Sequence, residues 1–314
     1  MIKAFVEKHP STWRYISVAA ILLIIFPVIF GIGYGGEIGA YIGIGIFLLL
    51  GMYGLYEVFS KMEMSKYSVV FLSLLPLILF LFTAESITPF DHFRDVAASN
   101  THISSNNFDF AGILKGSFTW KNLLLLSLLS LMPLIADSKL RQSKNLIWNI
   151  IVIVMVTVTF SVFVKFAWIV NVFDYLWLIY FLSIAIVADT FAYLGGKYLG
   201  KYIFNGAKMA PQISPKKTWA GFIIGYIAAS GFIIGLGYYL HIFESTGHEI
   251  GVLIAAGLLL PIVSPIGDLF FSAIKRSNDI KDFSNLMPGH GGILDRLDSA
   301  TMVFFVLTLL FIII

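Results

Sequence analysis

Four aspartates and the basic residues around them are the side chains of this sequence best placed to do chemistry. Asp189 and Asp268 lie within apolar runs, and Asp295 and Asp298 stand three apart in DRLD, at the start of the last one. A carboxylate so placed is costly unless it is paired, hydrated or bound to metal. Residues three apart share a helix face, so Asp295 and Asp298 point together. Arg296 points elsewhere, open to an anionic ligand or an ion pair. Carboxylates with no cysteine in the chain and only 6 histidines suit Mg²⁺, a hard cation that prefers oxygen. An ion pair with a neighbouring lysine satisfies Asp189 or Asp268 equally well, and aspartate is favoured at a helix start in any case.

Two loops are unlike the rest of the chain in their charge. Residues 195–218 read GGKYLGKYIFNGAKMAPQISPKKT, with five lysines and no acid. Residues 275–298 read KRSNDIKDFSNLMPGHGGILDRLD, mixing both signs of charge. Ser214, Lys216, Lys217 and Thr218 open an apolar run, and hydroxyls and lysines at a helix start fit an anion site; positive flanking of a membrane span explains the lysines as well. In Pro288-Gly289-His290-Gly291-Gly292 the glycines let main-chain N–H groups approach a phosphate. His290 is placed to donate to a phosphate oxygen or protonate a leaving group, or simply to pack. Pro261 and Pro265 precede Asp268, and a helix broken there and ending in an acid makes a metal or substrate lip.

The elements that position these residues are membrane spans. The 314 residues are 58% hydrophobic and 12% charged, where a soluble domain has about 25% charged. A span takes roughly 20 apolar residues. The expected spans are nine, at 16–35, 38–59, 67–84, 121–136, 146–168, 173–194, 218–240, 249–271 and 298–314. Continuous apolar runs without period-2 alternation make them helices, so the fold class is all-α, a polytopic membrane bundle. With the N-terminus cytoplasmic, every lysine and arginine except Arg94, Lys115, Lys121 and Lys165 falls on the cytoplasmic side. Asp189 then lies roughly 24 Å along its span, near the cytoplasmic end. Residues 85–121 form the one long extracytoplasmic loop. The repeated GFIIG of 221–225 and 231–235 is read as helix packing. Glu57, Asp137, Asp174 and Lys165 lie near span ends, where snorkelling accounts for them. A net charge of +3 points away from a nucleic-acid partner.

SAIKRSNDIKDFSNLMPGHGGILDRLD, from Ser272 to Asp298, resembles the signature of the phosphatidate cytidylyltransferase (CDP-diacylglycerol synthase) family. That signature runs Ser-x-aliphatic-Lys-Arg, four residues, Lys-Asp, then Pro-x-His-Gly-Gly-aliphatic-x-Asp-Arg-aliphatic-Asp. ADTFAYLGGKYLGK (188–201) and ISPKKTWAG (213–221) are similar to two further family blocks. The resemblance implies conversion of CTP and phosphatidic acid to CDP-diacylglycerol and pyrophosphate at the cytoplasmic face of the cell membrane, with Mg²⁺ and room for a second cation. It implies that Asp268 and Asp295 hold the metal with Asp298 close by. Lys217 with Ser214, and Lys275 with Arg276, would handle phosphates. Asp189, Lys281, Asp282, His290, Gly291, Gly292 and Arg296 complete the expected site, and the bundle is expected to contact membrane lipids and be able to dimerise. Residues 171–314 would then be the catalytic region and 1–170 a transmembrane region without matching motifs. The competing readings are another CTP-using lipid nucleotidyltransferase or kinase with an isoprenoid-type acceptor, and a transporter with a basic cytoplasmic face. A transporter predicts charges near the midplane and related halves, and neither is present.

Overall fold

The computed structural model describes residues 23, 25–81, 110–244, 248–286 and 291–313. The chain is an all-α polytopic bundle. Its helices, in order, are α1 (Ile25–Tyr34), α2 (Gly36–Phe59), α3 (Lys66–Leu74), α4 (Pro76–Leu81), α5 (Phe110–Ser117), α6 (Trp120–Ser130), α7 (Pro133–Ala136), α8 (Ser138–Arg141), α9 (Leu146–Phe173), α10 (Tyr175–Tyr198), α11 (Trp219–Tyr239), α12 (Glu249–Ser277) and α13 (Leu294–Ile313). Among the described residues seven helical stretches are long and apolar enough to cross a membrane. The expected spans at 16–35 and 67–84 contain shorter apolar helices, Ile25–Tyr34 and Lys66–Leu81, within the described residues.

α9 is the hub. Its most apolar window is 78% buried, against 22–50% for the other six stretches. It packs on α2, α10 and α13. Its sequence is so rich in Val, Ile, Thr and Phe that in water it would favour a strand. In lipid every backbone N–H and C=O must be satisfied within the segment, and that requirement makes it a helix. Asp174 ends α9 and caps α10, accepting the Leu176 N–H at 2.8 Å.

Several expectations need correction. The basic loop after α10 holds a short antiparallel hairpin, β1 (Lys208–Ala210) with β2 (Ser214–Thr218), pairing Lys208 with Thr218 and Ala210 with Ser214. α12 runs unbroken through Pro261 and Pro265 to Ser277, so Asp268 sits inside a helix and not at a broken end. Each proline removes one helical bond, but the flanking turns and the packing of α11 and α13 hold the rest. The last helix starts at Leu294, four residues earlier than expected, and therefore includes all of DRLD. The loop expected to reach residue 121 gives way to helix at Phe110; residues 82–109 lie outside the described residues.

The snorkelling expectation fails for three of its four residues. Glu57, Asp137 and Lys165 are buried at 2%, 3% and 0% exposure. Lys165 donates to the carbonyls of Leu79 and Ser117 and lies 5.3 Å from the Phe118 ring. Its ammonium thus joins the C-terminal ends of α4 and α5, where helix dipoles favour a cation. Asp137 caps α8 and also accepts from the Ser65 N–H (2.6 Å) and the Ser68 hydroxyl (2.7 Å). Of the two GFIIG blocks, only the first packs through its glycines; the second packs through Phe232, Ile233 and Ile234. A Cβ at Gly225 would lie 2.7 Å from the Ala188 carbonyl oxygen, whereas one at Gly231 or Gly235 would meet nothing within 4 Å.

Candidate active site

Three helix ends and the hairpin meet at one end of the bundle. The C-terminal parts of α10 and α12 carry Asp189 and Asp268, the first turns of α13 carry Asp295 and Asp298, and β2 carries Lys217. Thr218 caps α11 through the Gly221 N–H (3.1 Å), which fixes where the hairpin leaves the helix. Close approach of α10 and α11 at Gly225, and at Gly221 against Ala192, brings Asp189 beside the hairpin.

Each carboxylate has defined partners. Asp268 pairs with Lys217 at 2.7 Å and accepts from the Ser272 hydroxyl at 3.0 Å. Lys217 also donates to the Pro265 carbonyl at 3.4 Å. Lys275 bridges Asp295 (3.0 Å) and Asp298 (3.7 Å), as expected if both face one way, and lies 5.3 Å from the Phe283 ring. The other oxygen of Asp295 accepts the backbone N–H groups of Phe283 (2.8 Å) and Gly292 (2.9 Å). Asp298 accepts the Ser299 N–H at 2.8 Å, and the Ser299 hydroxyl donates to Asp189 at 3.1 Å. Asp268 is near enough to act electrostatically on both Asp189 and Asp298. Asp189, Asp268, Asp295, Asp298, Lys217 and Lys275 therefore form one connected cluster.

A cavity of about 530 Å³ opens beside it. It is lined by Asp189 and Asp268, by Lys197, Lys208, Lys216 and Lys217, and by the apolar surface of Phe222, Tyr226 and Pro261. It therefore offers cations for phosphate and an apolar flank on spanning helices.

Other expected site residues stand apart. Arg276 turns to the Ile280 carbonyl (3.0 Å) at an exposed position. Lys281, Asp282 and Arg296 are exposed, and Ser214 is half-buried in β2 outside the cavity lining. Gly291 and Gly292 are buried against carboxylates. Gly291 has φ +82°, and a Cβ there would come within 2.8 Å of Asp295 Oδ2. His290, Pro288 and Gly289 lie outside the described residues. Ser299, Lys197 and Lys208 escaped the sequence reading; Ser299 adjoins Asp298, and the two lysines lie in the basic loop, but nothing local singles them out. Glu57 escaped it too, and it is hydrogen-bonded to Ser284, Ile293 and Leu294.

The oxygens gathered here, carboxylate and hydroxyl, are the donor types that suit a hard divalent ion, with Lys217 and Lys275 paired to the carboxylates. Among the described residues no three acidic or histidine side chains stand close enough to ligate a metal as they are. Lys217 and Lys275 supply the positive charge between them.

The model of the cytidylyltransferase family matches residues 12–314. The chain belongs to this family. It is 44% identical over 113 residues to the phosphatidate cytidylyltransferase of Rickettsia typhi, covering 35% of this chain and 47% of that one. It is 37% identical over 127 residues to the phosphatidate cytidylyltransferase of Haemophilus influenzae, covering 40% and 41%. Against phosphatidate cytidylyltransferase 4, chloroplastic, of Arabidopsis thaliana the identity is 44% over 114 residues, 36% and 27% of the two chains. The chain spans about half or less of the length of these curated family members.

Proposed function

We propose that this chain is a phosphatidate cytidylyltransferase, joining CTP and phosphatidic acid into CDP-diacylglycerol with release of pyrophosphate. The observation that carries the reading is the cavity at the ends of membrane-spanning helices, lined by four lysines together with Asp189 and Asp268, in a member of the cytidylyltransferase family. Phosphatidate is a phosphate on two acyl tails. The tails stay among the helices while the headgroup reaches the cluster. The bias of lysine and arginine supports a position of this end at the cytoplasmic face of the cell membrane.

The reaction is a displacement at phosphorus. A phosphate oxygen of the lipid bonds to the α-phosphorus of CTP. The bond from that phosphorus to the α–β bridging oxygen breaks, and its electron pair leaves with pyrophosphate. The nucleophile is already an anion, so no strong base is needed. The difficulty is repulsion between two anions, and fixed cations meet it. Lys217 and the neighbouring lysines of the cavity collect phosphates, and Lys275, held by Asp295 and Asp298, lies beside them. Asp268, Asp295 and Asp298 would hold Mg²⁺, which supplies charge neutralisation on the triphosphate when bound.

The test is pyrophosphate release by purified protein given CTP with phosphatidic acid or with an isoprenoid-type lipid phosphate. The expected result is one pyrophosphate per CDP-diacylglycerol, seen with phosphatidic acid alone. Release with the isoprenoid acceptor only would overturn the substrate assignment. Asp295→Asn should abolish release while the protein still inserts; full activity in that variant would refute the role of Asp295.

A further inference from the structure

Glu57 lies near the end of α2, in the part of the chain without the signature motifs, and is 2% exposed. Its carboxylate reaches the signature loop from outside it. One oxygen, Oε1, accepts the Ser284 hydroxyl at 2.6 Å and the Ile293 N–H at 3.2 Å. The other, Oε2, accepts the Leu294 N–H at 3.1 Å. Among the described residues no lysine or arginine forms an ion pair with it. Its positive counterpart is the N-terminus of α13, a 20-residue helix whose first N–H groups have no partner within the helix. The fit is close: a Cβ at Gly292 would lie 2.5 Å from Oε2.

The two ends of this contact matter to the cluster. Ser284 follows Phe283, whose N–H is bound by Asp295; Ile293 and Leu294 directly precede Asp295. Glu57 thus holds both flanks on which the orientation of Asp295, and through it Lys275, depends. We infer that Glu57 is a positioning residue for cytidylyl transfer, fixing the start of α13 so that Asp295 and Asp298 face Lys275. It touches neither substrate nor reacting atoms. The inference rests on the functional reading above, and its test has an arm that does not.

The test uses the full chain, purified in detergent, as wild type, Glu57→Gln, Ser284→Ala and the double variant. Glutamine fills the same space but turns an N–H₂ toward backbone donors. In the first arm, hydrogen exchange of the backbone at 291–296 is followed by mass spectrometry. Glu57→Gln should speed it at least tenfold while α9 is unchanged. In the second arm, turnover is measured at saturating and limiting CTP. Glu57→Gln should lower kcat at least tenfold with the thermal midpoint nearly kept, and Ser284→Ala should lower it less in the wild type and not at all further in the Glu57→Gln background. Unchanged exchange, unchanged kcat, or additive losses in the double variant would overturn the inference. A wild type inactive on CTP and phosphatidate would sink the functional reading instead, leaving the exchange arm to decide whether Glu57 holds the start of α13.

Discussion

Asp295 shows how much one side chain does here. It accepts from Lys275 and from two backbone N–H groups, and its own side chain is 2% exposed. A buried pair such as Lys275–Asp295 is costly to break, about 3–5 kcal/mol when one partner is removed. Its role in shaping the loop is therefore inseparable from any role toward a ligand. Asp137 is a simpler case, remote from the site. Burial by itself raises its carboxyl, but the bonds from Ser65, Ser68 and Leu140 outweigh that and hold it at about 2, below the ordinary 3.8. A carboxyl held down in the folded state stabilises fully above its unfolded value and loses that contribution as pH falls through the folded one. Asp137 should therefore contribute about 2 kcal/mol above pH 4 that disappears toward pH 2. Thermal midpoints of wild type and Asp137→Asn in detergent should differ at pH 6 and converge as the pH approaches 2.

Among the elements, the α10–α11 contact decides where Asp189 and the hairpin stand. It depends on glycine because backbone atoms of α10 occupy the space a side chain would take. Gly225→Val should cost about 1–3 kcal/mol, since a carbonyl oxygen cannot give way as a flexible side chain would. Gly235→Ala, on the same helix but facing open space, should be neutral or gain about 0.5–1 kcal/mol from its better helix propensity. Thermal midpoints of the two variants in detergent should move in opposite directions or differ by that margin. The same comparison separates the two GFIIG repeats: backbone of α10 lies against the glycines of the first, whereas the second packs through Phe232, Ile233 and Ile234 and leaves its glycines facing open space.

For the whole molecule, the basic loops, the acidic cluster and the cavity lie at one end of the bundle, while Lys165 ties α4 to α5 elsewhere. A lipid substrate approaching from the bilayer and a nucleotide approaching from water would meet there. The chain has no cysteine, so single cysteines report sidedness cleanly. In intact cells an impermeant maleimide should label Lys115→Cys, which is exposed, and leave Lys208→Cys unlabelled until the membrane is permeabilised. Labelling of Lys208→Cys in intact cells would overturn the proposed orientation, in which this end faces the cytoplasm.

Residue types and spacing by themselves determined the membrane class, the all-α fold and the shared face of Asp295 and Asp298. Hydropathy needs only a window of neighbours, and the three-residue step from Asp295 to Asp298 needs only helical geometry. The start of α13, the unbroken course of α12 and the hairpin at 208–218 were not legible, because neighbouring elements settle them. Which lysine meets which aspartate, and the burial of Glu57, Asp137 and Lys165, belong to the tertiary structure alone. The Ile293 N–H and Glu57 are 236 residues apart, and no local pattern records a partner so distant. A carboxylate near a span end looks the same in sequence whether it reaches water or a helix N-terminus; only the packing around it chooses.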